Sequence, residues 1–99
     1  MYEERAIILS RIFMFYVYII RSIEKSDEIY TWFTEDLQQR MLDHNSERSP
    51  HTSKFAPWKL IYYCAFEEKK IALDFENYLK TASGIAFRNK RLMKRDNWQ

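Results

Sequence analysis

A chain of 99 residues with 46% hydrophobic and 30% charged side chains fits one small globular domain and excludes a disordered or fibrous one. One Gly and two Pro exclude collagen-like and low-complexity sequence, while the single cysteine, Cys64, excludes an internal disulfide framework and, with two His, a Cys-rich zinc module. The net charge of +2 selects no partner by itself, but residues 84–99 carry +4 of it and leave the rest of the chain at −2.

Residues 1–12 read as an N-terminal extension, either a short helix that packs Ile7 and Ile8 on the body or a loose arm. The patterned chain begins near Met14 and is expected to form one domain over 13–93, followed by a basic tail over 94–99. The longest apolar run, Ile12 to Ile20, is nine residues, about half of a membrane span. It lacks the basic leader and small-residue cleavage site of a signal peptide. With its lone thiol the chain reads as cytoplasmic, with no membrane segment.

Phe13 to Ile23 is aromatic and β-branched without a helical period, so a strand is expected. Both faces are apolar, which places it centrally in a sheet. Alternation sets Tyr16, Tyr18 and Ile20 on one face and Phe15, Val17 and Ile19 on the other. Glu24 to Asp27 form a polar turn, and Glu28 to Phe33 return as the second strand of an antiparallel hairpin.

Thr34 is the expected cap of the first helix, with Glu35 and Asp36 in its first turn. Leu37, Met41 and the edge of His44 share a stripe, and Asn45 ends the helix. Ser46, Ser49, Pro50 and Ser53 read as a polar loop up to Pro57. Trp58 to Phe66 reads as a third strand. Glu67 to Thr81 is the clearest helix, with Ile71, Ala72, Phe75, Tyr78 and Leu79 at helical spacing. Gly84 is expected to stop it, Ser83 to cap the next segment, and 85–93 to form a short basic helix with Ile85, Phe87 and Leu92 turned at least partly inward. The order β-β-α-β-α-α predicts an α+β fold, a three-stranded antiparallel sheet packed by helices.

Three stretches carry a resemblance: Phe15-Tyr16-Val17-Tyr18-Ile19-Ile20, Ile29-Tyr30-Thr31-Trp32, and Asp36 to Asn45. Pro57 to Tyr63 and Ala72 to Thr81 extend it. In order and spacing they resemble the GIY-YIG endonuclease superfamily over about residues 13–92. The likeness is to its small single-domain bacterial members, related to the amino-terminal nuclease domain of the C subunit of the excision-repair excinuclease.

The resemblance implies a metal-dependent DNA endonuclease, in repair or processing, that uses Mg²⁺ or Mn²⁺. Tyr18 matches the tyrosine ending the first family motif and Tyr30 the one opening the second. Arg40 matches the catalytic arginine of the first helix, His44 a position filled by His or Tyr, and Glu76 the metal-binding glutamate. Asn89 matches an asparagine near the domain's end. Trp32 stands where the second motif has glycine. An indole there can narrow the cleft, stack on a base, or block activity and leave a nucleic-acid-binding module.

The residues also carry plainer readings. Tyr18 and Tyr30 on adjacent strands can converge their hydroxyls on one face, or can simply be amphipathic core. Arg40 and His44, spaced i and i+4, share a helix face that is ordinarily solvated. Glu76 borders an apolar stripe, as many helix-flank glutamates do. Arg88, Lys90 and Arg91 suit phosphate contacts or a solvated helix end. His51 and Cys64 read as structural. A homodimer or a protein partner would add specificity to so small a domain.

The chemistry suits the set. Phosphodiester hydrolysis needs an activated water, neutralised phosphate charge and help for the leaving oxygen. A guanidinium takes phosphate oxygens, one glutamate can hold a hydrated Mg²⁺, and a tyrosine beside cations can act as a base.

Overall fold

The computed structural model describes residues 13–94. The expected extension, residues 1–12, and residues 95–99 of the tail lie outside the described residues. Strand β1 (Phe15–Ser22) lies centrally, antiparallel to β2 (Ile29–Thr34) on one side and β3 (Trp58–Phe66) on the other. The α+β architecture is the expected one. A bulge in the β1–β3 ladder sets Tyr62 opposite Ile19 and Leu60 opposite Ile20, leaving Ile61 as the extra residue.

Strand alternation builds two cores from one sheet. Val17, with Phe15, Phe33, Cys64 and Phe66, packs under Ala72, Phe75 and Leu79 of helix α3 (Lys69–Leu79). On the opposite face Tyr18 and Ile20 pack with Tyr30, Trp32, Trp58 and Leu60 against Leu37 and Met41 of helix α1 (Leu37–His44). Val17, Tyr18, Ile19 and Ile20 are fully buried, as expected of a central strand covered on both sides.

Several local expectations are corrected. Asp36, not Thr34, is the N-cap of α1: its carboxylate accepts from Gln39 N at 3.1 Å. Thr34 Oγ1 instead accepts from Asp36 N at 3.0 Å and fixes the turn before it. The loop after α1 contains a short helix, α2 (Pro50–Ser53), with Ser49 at its N-cap and Pro50 in its first turn. On α3, Ala72 and Leu79 are buried, but Ile71 and Tyr78 are exposed.

Gly84 does not end α3. It lies within helix α4 (Ala82–Phe87), whose N-cap is Thr81 rather than Ser83; Thr81 Oγ1 accepts from Gly84 N at 3.1 Å. Glycine is required there because α4 crosses the end of α3 so closely that a Cβ would overlap the Tyr78 carbonyl. Residues 88–92 then continue as one π-helical turn instead of a single helix over 85–93. Ile85 and Phe87 stay more than one-third exposed, while Leu92 packs on the Val17 core and Met93 is buried.

Candidate active site

The site starts from β1. Tyr18 sits mid-strand opposite Trp32 and is fully buried, its ring on the α1 face. Helix α1 ends above it. Asn45, the C-cap, anchors that end to β3 through Trp58 N–H donating to Oδ1 at 2.5 Å and Nδ2 donating to the Trp58 carbonyl at 3.3 Å. His44 is thereby held inside the protein with 0% exposure. Its Nε2 lies 2.6 Å from Tyr18 Oη and its Nδ1 lies 2.8 Å from Thr52 Oγ1.

Burial pushes the Tyr18 phenol up to about 12, and the Arg40 guanidinium pulls it back by charge and hydrogen bonding. Burial, then the Arg40 charge, drives His44 down to about 4, opposed by Asp43. Tyr18 and His44 are therefore both neutral near pH 7. Arg40 is held by Asp43 at 3.6 Å, and the Asp43 carboxylate also accepts from Gln39 Nε2 at 2.9 Å.

Tyr30 lies on the same face, paired with Ile20 one step along the sheet from Tyr18. Its hydroxyl donates to Glu28 Oε1 at 3.1 Å, so it does not join the Tyr18–His44 bond. Burial, then the Glu28 contact, raises its pKa. Its ring leans on Trp58, with centroids 5.0 Å apart, and meets Trp32 edge-on at 6.2 Å.

Glu76 comes from α3, yet its charge bears on Tyr18. Its side chain is 13% exposed and paired with Lys80 Nζ at 3.1 Å. That ammonium also stands 5.6 Å from the Trp32 ring centre, and the indole stacks at a tilt on His44 at 5.9 Å. Trp32 thus neighbours both the His44 imidazole and the ammonium of the Glu76–Lys80 pair. Its indole N–H is buried and finds no acceptor among the described residues.

The two layers meet again at the outer edge of β2. A groove of about 610 Å³ there is lined by Tyr30, Trp32, His51, Lys54, Lys80 and Arg88, together with apolar side chains. Its charged lining is cationic throughout. Arg88 donates to Asn89 Oδ1 from Nε at 3.0 Å and from Nη2 at 2.9 Å. Lys90 and Arg91 are exposed.

Among the described residues no three His, Cys, Asp or Glu side chains gather as a metal cluster. Were a divalent ion held by the Glu76 carboxylate, water and substrate oxygens would complete its shell. That donor set suits Mg²⁺, which dehydrates reluctantly and prefers hard oxygen. Lys80 holds that carboxylate in this structure and would have to release it. Sequence motifs do not single out Thr52, Ser49, Asn45 or Lys80 for the site. Only the Ser49-Pro50 pair carries a local signal, that of an N-cap with proline in the first turn.

A three-stranded antiparallel sheet in the order β2-β1-β3, covered by helices on both faces, frames an α+β domain of nuclease type. The GIY-YIG catalytic domain matches residues 14–91, and the chain belongs to that family. It is similar to a UPF0213 protein of Clostridium perfringens, 35% identical over 80 residues, which are 80% of this chain and 80% of the relative. It is also similar to UPF0213 proteins of Streptococcus pyogenes, 30% identical over 66 residues, which are 66% of this chain and 70% of the relative. No solved structure gives a significant match. Among the described residues no helix is long and apolar enough to cross a membrane.

Proposed function

We propose that the chain is a metal-dependent DNA endonuclease, acting in the cytoplasm on repair or processing substrates. The observation that carries this reading is the buried Tyr18–His44 hydrogen bond with Arg40 and Glu76 acting on the same phenol. Tyr18 is buried in this structure, so the site has to open before a water reaches its oxygen; that water then gives its proton to Tyr18 as the phenolic proton passes to His44 Nε2. The water oxygen bonds to phosphorus, the ester P–O bond breaks, and the leaving oxygen takes a proton from solvent. Arg40 offsets charge on the phosphate oxygens. A divalent ion on Glu76 supplies further neutralisation of that charge.

The test is cleavage of supercoiled, branched and damaged DNA with and without Mg²⁺ or Mn²⁺. Glu76→Gln is expected to keep its fold, since glutamine has the same shape and keeps an acceptor oxygen toward Lys80, and to lose metal-dependent cleavage. Unchanged cleavage by that variant removes Glu76 from the site.

A second reading is a nucleic-acid-binding module of the same fold with an impaired site. Trp32 favours it: the indole packs on His44, faces the Lys80 ammonium and lines the cationic groove. Tight DNA binding without turnover under every metal condition would decide for this reading.

A further inference from the structure

We propose that Thr52 is a positioning residue: it fixes the His44 imidazole as the Nδ1–H tautomer and so keeps the Nε2 lone pair available for the Tyr18 proton. The effect on cleavage rests on the nuclease reading above; the tautomer does not.

Both ends of the imidazole lead to the same assignment. The Thr52 hydroxyl owns one proton and lies 2.8 Å from Ser49 Oγ and 3.4 Å from the Ser49 carbonyl oxygen. Ser49 offers two acceptor oxygens on that side, its hydroxyl and, more distantly, its carbonyl, and we place the Thr52 proton there. With its proton there, the Thr52 oxygen accepts from His44 Nδ1, 2.8 Å away, which then carries the ring proton. At the other end a phenol hydroxyl faces a ring nitrogen, and of the two the phenol is the readier donor. The phenolic proton therefore goes to His44 Nε2 at 2.6 Å. In the opposite tautomer Nε2 would donate to Tyr18 Oη, whose own proton would need an acceptor other than the ring, and Ser49 Oγ would have to donate to Thr52 in place of accepting from it.

Burial turns this preference into a constraint. Tyr18, His44 and Thr52 are fully buried and Ser49 is 8% exposed, so solvent is poorly placed to satisfy a displaced proton. Thr52 is itself immobilised: its carbonyl accepts from Trp58 Nε1 at 2.6 Å and its N–H donates to the Ser49 carbonyl at 3.1 Å. The short α2 helix, with Ser49 at its N-cap, thus serves to present one hydroxyl to one ring nitrogen. The arrangement obeys the general rule that the partner of one imidazole nitrogen sets the role of the other.

The test reads the tautomer directly. Long-range ¹H–¹⁵N correlation at neutral pH reports which ring nitrogen is protonated. The chain has two histidines, so loss of the exposed His51 signals in His51→Gln identifies His44. The wild type is expected to show protonated Nδ1 and bare Nε2. Thr52→Val, which keeps the shape and removes the hydroxyl, should lose that pattern and lower DNA cleavage at least about tenfold. Thr52→Ser should restore both.

A protonated Nε2 in the wild type overturns the proposal. So does Thr52→Val with an unchanged tautomer, or with a changed tautomer and full cleavage. Should Thr52→Val fail to fold, the wild-type and Thr52→Ser spectra decide, and a difference between their tautomers overturns it. A wild type that shows the Nδ1–H form but cleaves no DNA supports the tautomer and overturns the nuclease reading and the catalytic consequence with it.

Discussion

Tyr18 and His44 stand 26 positions apart in sequence and meet through a 2.6 Å hydrogen bond from mid-strand to helix end. Neither side chain has any exposed surface. The bond therefore joins two titratable groups in a medium that resists charge on either. Each is held neutral, one by a raised and one by a lowered pKa.

That burial sets the pH limits of stability. His44 falls from 6.5 unfolded to about 4 folded. Between those values the unfolded chain binds more protons, so stability drops as pH falls from about 6.5 to about 4 and levels off below. The loss is about 3 kcal/mol at most. Tyr18 and Tyr62 rise from 10 to about 12, both chiefly by burial. There the unfolded chain loses protons first, so stability drops as pH rises through 10 toward 12. Urea unfolding midpoints across pH should show a plateau between these limits. In His44→Gln, a midpoint that still falls between pH 6.5 and 4 with the wild-type slope would remove His44 as the cause of the acid limb.

Trp32 separates enzyme from binding module. The indole lies opposite Tyr18 on the neighbouring strand, against His44 and near the Lys80 ammonium, so Trp32→Gly removes bulk beside the phenol. Cleavage is expected to rise while the Tm falls, since losing a packed indole costs about 3 kcal/mol. If the indole stacks on a base instead, affinity should fall by about 1–3 kcal/mol and turnover should not rise. Affinity and turnover measured on the same variant decide between these. A change in Tm alone would make Trp32 purely core.

The basic end is best tested by substitution. Truncation at residue 90 would remove Leu92 and Met93, which belong to the core, and would confuse binding with folding. Lys90→Gln with Arg91→Gln keeps both. If the two cations contact phosphates, the log–log salt slope of DNA binding should flatten by roughly two units, nearly one per lost contact. An unchanged slope would show these residues to be solvated helix-end charges.

Much of this was legible along the chain. The Phe15–Ile20 run carries apolar residues on both faces, which dictates a central strand whatever covers it. The Trp58–Phe66 strand comes from β-formers alone, and Ala72 and Leu79 from helical spacing. The motif order then pointed to the family to which the chain belongs. The sequence could not reveal Asp36 displacing Thr34 as a cap, because both residues suit the role and only the turn between them decides. Nor could it place Gly84 inside a helix, since the demand comes from the Tyr78 carbonyl of another element.

For the candidate site the division is sharper. Spacing put Arg40 and His44 on one helix face, a local property of 3.6 residues per turn. It could not bury His44, because burial came from α2 and β3 closing over the end of α1. Thr52 and Ser49 gained their place opposite the imidazole only through that closure, and Tyr30 turned its hydroxyl to Glu28, two residues away on its own strand edge. Periodicity acts within an element, so the strands, the main helices and the family can be read along the chain. Hydrogen bonds between elements depend on distances that exist only once the layers have packed, and packing alone settles which hydroxyl faces which nitrogen.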